Sequence, residues 1–317
     1  MQTAGYCRLV DANYYPARRT HRHGWWWKAL LIGLALWIAT IFVTASTLNT
    51  NLIPTLILLG SFLVPFSVVL FAVERVTGNL APIHVFLAFF AGGVVGVLAA
   101  SLLEADLHVT TWIYLRVGLI EEAVKAVVLL VVGRSVVPKT ARQGALLGAA
   151  VGAGFAAFES AGYAFNAAVT SQGIDLASML QTEAMRSILT PVCHVLWTAL
   201  LGAVIFGATG RTAKYRLTGR VIVAFIVVVI LHALWDSMGG LAALIAVVVT
   251  GNAVPALQYG FLRPGTSAEV SSLSSVFYFA GIIIISAVGL VGLRLALRRH
   301  NDLPPKLAHG PYPGPPL

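Results

Sequence analysis

The sequence predicts an all-α fold: a polytopic membrane bundle of about eight transmembrane helices with both termini cytoplasmic. Three observations carry the prediction. Of 317 residues, 58% are hydrophobic and only 10% charged, whereas a soluble domain carries about 25% charged residues. Apolar runs of about 20 residues, the length that crosses a hydrocarbon core, recur from Trp25 almost to the C-terminus. Lys and Arg gather in alternate connections between those runs, as the positive-inside rule requires.

The runs place spans at 25–47, 52–73, 83–103, 111–133, 143–169, 187–209, 221–238 and 273–295. The first is too long for a signal-peptide core and is expected to stay as a membrane anchor. Its Trp25–Trp27 cluster beside Lys28 reads as an interfacial belt. The fifth span is dense in small residues, "GALLGAAVGAGFAAF" (144–158), which lets neighbouring helices approach closely. The seventh is short, and the Gly239–Gly240 pair predicts a broken or re-entrant continuation through 239–251.

Arg134, Lys139 and Arg142 lie in one connection, and Arg211, Lys214, Arg216 and Arg220 in another. Together with Arg8, Arg18, Arg19 and Arg22 before the first span and Arg298, Arg299 and Lys306 after the last, they fall on one side of eight spans. The chain thus divides into a basic cytoplasmic tail (1–24), a membrane domain (25–297) and a Pro-rich, disordered cytoplasmic tail (298–317). The +9 net charge belongs to these short loops and tails, which argues against a nucleic-acid partner and for contact with anionic lipid heads. Cys7 and Cys193 fall in a tail and a span, so no structural disulfide is expected.

Four successive spans, within residues 110–240, carry polar groups well inside hydrocarbon. The fourth has Glu121, Glu122 and Lys125. The fifth has Glu159, Tyr163 and Asn166, spaced to share one helix face. The sixth has Thr190, His194 and Thr198, and the seventh His232 and Asp236. At 1.5 Å rise per residue, Glu121, Glu159, His194, His232 and Asp236 all lie roughly 16–24 Å from the cytoplasmic ends. One layer of the bundle therefore collects them. A lone His or Thr in a span is usually bundle glue, and a Glu–Lys pair is usually a neutralised ion pair. The whole set, however, has carboxylates in excess of its cations, which proton-handling chemistry needs and structural pairing does not.

These residues resemble the PrsW family of intramembrane proteases, related to type II CAAX prenyl endopeptidases and bacteriocin-processing proteins. The family pattern EExxK, FExxxY and two later histidines reads here as "EEAVK" (121–125), "FESAGY" (158–163), His194 and "HALWD" (232–236). The resemblance implies a peptidase of the cell membrane acting on membrane-protein substrates, a single-span anti-sigma factor being the family's example. It implies Glu121 or Glu122 as the base for water and His194 and His232 at the substrate carbonyl. Glu159 and Tyr163 are implied as further site residues. Asp236 stands where the prenyl proteases tend to have Asn.

Lys125 and the prenyl-protease resemblance favour a site without an obligatory ion. A zinc site of Glu159, His194 and His232 is the alternative, three such ligands being common in catalytic zinc centres. Two other classes compete: a proton-coupled transporter, which also places carboxylates at mid-membrane, and a catalytically inactive membrane scaffold.

Overall fold

The computed structural model describes residues 23–75, 80–209 and 214–299. The two tails, with Cys7, Arg8, His300 and Lys306, lie outside the described residues, as does Arg211.

Among the described residues the chain is a helical bundle. α1 (Trp25–Thr47) and α2 (Ile53–Val73) form an outer pair. α3 (Pro82–Phe90) continues through a π-helical stretch, Ala91–Gly96, into α4 (Val97–Glu104). α5 (Ile113–Val132), α6 (Ala141–Ala168), α7 (Leu176–Leu189), α8 (His194–Gly207) and α9 (Gly219–Val249) carry the polar residues. α10 (Ala253–Tyr259) is a short cap, and α11 (Ser267–Arg299) closes the bundle against α9 and α8. A two-stranded antiparallel hairpin, β1 (Val169–Thr170) with β2 (Gly173–Ile174), links α6 to α7.

Among the described residues, seven helical stretches are long and apolar enough to cross a membrane. α5 is a further crossing expected from the sequence, and the charges inside it, Arg116, Glu121, Glu122 and Lys125, set it apart from those seven. The protein is therefore a multi-pass membrane protein. Lys28 lies 5.2 Å from the Trp25 ring centroid and 5.7 Å from that of Trp27, as an interfacial anchor would.

α6 is the hub. Its N-terminus is capped by Thr140, whose Oγ1 accepts from the Gln143 N–H while Gln143 Oε1 accepts from the Thr140 N–H. Most of its length is buried between α8, α2 and the α3–α4 segment. Gly144, Gly148 and Gly152 form a row four residues apart. A Cβ at each would collide with the carbonyl oxygens of Gly202, Thr198 and His194 respectively. The row therefore sets both the separation and the register of α6 and α8, and it ends on the backbone of His194.

Two sequence expectations need correction. α9 runs unbroken to Val249, so 239–251 is neither broken nor re-entrant. Gly lowers helix propensity by only about 1 kcal/mol, too little to end a helix of 31 residues. The sixth crossing starts earlier than position 187, as the amphipathic α7, and is interrupted by a 3₁₀ turn at Thr190–Val192. Asp175 caps α7, its Oδ1 accepting from the Ser178 N–H at 2.9 Å; that bond holds the Asp175 carboxyl below its usual pKa.

α7 is seated on the outer pair. Glu183 is buried and accepts from Trp37 Nε1 at 3.0 Å, and Ser187 Oγ donates to the Gly60 carbonyl at 2.9 Å. A Cβ at Gly60 would occupy the place of the Glu183 carboxylate.

Candidate active site

Three residues of α5 open the site. Glu121, Glu122 and Lys125 fall on the buried side of a helix whose other faces, at Leu119, Val127 and Val131, are exposed to lipid. Lys125 is fully buried. Its Nζ lies 2.7 Å from Glu122 Oε1, 3.4 Å from Glu121 Oε2 and 3.0 Å from His194 Nδ1. It also sits 4.5 Å from the Phe155 ring centroid. Breaking such a buried pair by removing one partner costs about 3–5 kcal/mol.

His232, from the middle of α9, places Nδ1 2.9 Å from Glu122 Oε1. Its Nε2 lies 3.6 Å from Glu121 Oε2 and 3.4 Å from Asp236 Oδ2, one turn further along α9. His194, the first residue of α8, places Nδ1 4.0 Å from Glu121 Oε2 and Nε2 3.2 Å from Glu159 Oε2. The two imidazole centroids are 5.1 Å apart, and Trp197 packs against both rings.

One pattern unites these contacts. Glu121 Oε2 faces one nitrogen of each histidine, and the other nitrogen of each meets a different carboxylate, Glu122 for His232 and Glu159 for His194. Glu121, His194 and His232 each offer a ligand atom within 4.8 Å of the other two. Glu159 stands on the outer side of this trio: its Oε2 is shared between His194 Nε2 and Arg186 of α7. The trio able to hold a metal thus contains Glu121, where the sequence pointed to Glu159 with the same two histidines.

A cavity of about 450 Å³ opens onto this centre, lined among others by Glu104, Glu121, Glu159, Tyr163, Arg186 and Asp236. Glu104 ends α4 and Tyr163 lies near the C-terminus of α6, so the cavity lies toward the end of the bundle bearing the 105–112 loop and the β1–β2 hairpin.

Of the eight sequence-chosen residues, Glu121, Glu159, Tyr163, His194 and Asp236 line this cavity, while Glu122, Lys125 and His232 pack behind Glu121. Tyr163 is about half exposed and lies under the Arg186 guanidinium rather than beside the histidines. Asn166 is exposed, so Glu159, Tyr163 and Asn166 do not all point inward as their spacing suggested. Thr190 lies in the 3₁₀ turn before α8, so it does not share a helix with His194 and Thr198. Thr198 donates to the His194 carbonyl at 2.8 Å and Thr190 to that of Arg186 at 2.7 Å, each four residues back along its own stretch of chain. The sequence reading missed Arg186, since the mixed composition of 170–186 hid the amphipathic α7.

Buried carboxylates, imidazoles and an ammonium around a polar cavity, inside a bundle of spanning helices, define an integral membrane protein with a centre suited to hydrolysis. The model of the family described as "PrsW family intramembrane metalloprotease" matches residues 81–260, more than half of the chain. The chain belongs to that family. No curated protein and no solved structure matches it.

Proposed function

We propose that this protein is an endopeptidase that hydrolyses a membrane-protein substrate where Glu121, His194 and His232 converge. The convergence of these three side chains from α5, α8 and α9, with Glu121 and His194 at the wall of one polar cavity and His232 behind Glu121, is the observation that carries the proposal. Peptide hydrolysis needs a polarised water, a stabilised oxyanion and a proton for the leaving amine. Glu121 holds the water, His232 and His194 flank it, and Asp236 at the cavity wall lies within reach of the leaving group. Glu122 orients His232 through Nδ1. A single-span anti-sigma factor is the substrate type that the family resemblance suggests.

The donor set fits a metal ion. Two imidazoles and a carboxylate are what catalytic zinc sites use, and each histidine has its outer nitrogen on a carboxylate, the usual support for a ligating imidazole. Glu121, His194 and His232 would hold the ion, which when bound would polarise the substrate carbonyl and acidify water. A second reading needs no ion: the Lys125 ammonium already occupies the His194 nitrogen that faces Glu121, and Glu121 then acts as base alone.

Comparative membrane proteomics of wild type and Glu121→Gln tests the function. The expected result is one single-span protein that accumulates uncut in the variant; identical membrane proteomes would sink the proposal. The purified enzyme, cutting that substrate, then decides between the readings. Activity lost on chelation and restored by one zinc per chain supports the metal; full activity after exhaustive chelation supports the carboxylate alone.

We further propose that the cavity faces the extracytoplasmic side. Arg134 and Lys139 between α5 and α6, and Lys214 and Arg216 between α8 and α9, lie at the opposite end of the bundle. Single cysteines at positions 163 and 236, in a background with Cys7 and Cys193 replaced by Ser, should react with impermeant thiol reagents added outside. Labelling from the cytoplasmic side alone would reverse the orientation.

A further inference from the structure

Arg186 belongs to no motif in the sequence, yet it reaches the centre. Its Nη2 pairs with Glu159 Oε2, its Nε donates to Ser160 Oγ at 2.8 Å, and its guanidinium lies 4.2 Å from the Tyr163 ring centroid. Three contacts leave it little rotational freedom. The oxygen it grips, Glu159 Oε2, is the one that meets His194 Nε2 at 3.2 Å.

The other side of the His194 ring supplies an independent constraint. Lys125 Nζ lies 3.0 Å from His194 Nδ1. An ammonium has donors only, so Nδ1 must accept through its lone pair. The ring hydrogen then belongs on Nε2, where Glu159 accepts it. Contacts on both edges of the imidazole require the same tautomer.

We infer that Arg186 is a positioning residue for the hydrolytic centre: it pins Glu159 so that the carboxylate holds His194 with its hydrogen on Nε2 and its Nδ1 lone pair on Lys125, beside Glu121. The inference rests on the peptidase reading of this centre. Arg186 takes its own place from α7, which Glu183 and Ser187 seat on Trp37 and Gly60. The orientation of a reactive imidazole on α8 is thereby tied to α1 and α2, outside the motif-bearing helices. Such outer partners typically change activity or metal affinity about 10–100-fold when removed.

The test uses full-length protein in bilayers with ¹⁵N-labelled imidazoles, the His194 signals being those lost in His194→Gln. Wild type should show hydrogen on Nε2 and a bare Nδ1. Arg186→Gln should loosen the Nε2–H of His194 from Glu159, shifting that signal while Nδ1 stays bare, and lower kcat by about tenfold or more with KM nearly unchanged. Arg186→Lys, which keeps a cation at Glu159, should hold the wild-type signal and recover most of kcat. Arg186→Met supplies the uncharged comparison if the Gln variant does not fold. Wild-type His194 signals and wild-type kcat in the uncharged variants would overturn the inference. A wild type that cuts no membrane substrate would overturn the peptidase reading instead, while the His194 Nε2–H signal would still decide whether Arg186 positions His194.

Discussion

α6 and α9 both interrupt apolar sequence with glycine, and the two helices use it in opposite ways. In α6, Gly144, Gly148 and Gly152 press against carbonyl oxygens of α8, and the last of them touches the backbone of His194. In α9, Gly239 and Gly240 have nothing within 4 Å of where a Cβ would stand. The first set positions the site; the second is open space three residues past Asp236. Glycine density marks close approach only when the glycines repeat on one face with a partner backbone behind them.

Substitutions sharpen that contrast. Gly152→Leu should have the largest effect, because its side chain must displace the His194 backbone. Cleavage should fall below detection while the protein still inserts in the membrane; retained cleavage would mean that the α6–α8 register does not set the site. Gly144→Ala comes next. It overpacks the same seam two turns from His194, at a cost of about 1–3 kcal/mol. Thermal unfolding should shift down, while the folded fraction keeps kcat within a few-fold. Gly239→Ala and Gly240→Ala should do least, each stabilising by about 0.5–1 kcal/mol through helix propensity, with unchanged cleavage. A loss of activity there would show that α9 bends at this pair during the reaction.

Much of the fold was legible because hydrocarbon imposes a strong rule: spanning segments must be apolar, long and helical. The seven long apolar stretches followed from it, and α5, with charges at Arg116, Glu121, Glu122 and Lys125, was expected as a further crossing. The site residues were legible for the same reason, since Glu121, Lys125 and His232 stand out against an apolar background. Arg186 did not stand out, because α7 carries polar residues on one face throughout. The partition of roles was also hidden. Spacing along a helix says which residues share a face, but not that Glu159 is shared between His194 and Arg186 while Glu121 faces both histidines. Those choices depend on distances between helices far apart in sequence. The continuity of α9 was misread because a glycine pair was weighed as a breaker in a helix long enough to absorb it.

The seat of α7 has a consequence for where the protein can be cut into fragments. The family-matched segment begins at residue 81, but Glu183 hydrogen-bonds to Trp37 and Ser187 to Gly60, both upstream of that point. A chain started at 81 would leave a carboxylate facing lipid on the helix that carries Arg186. A piece started at 81 should therefore lose activity, and supplying α1 and α2 as a separate chain should restore what it loses.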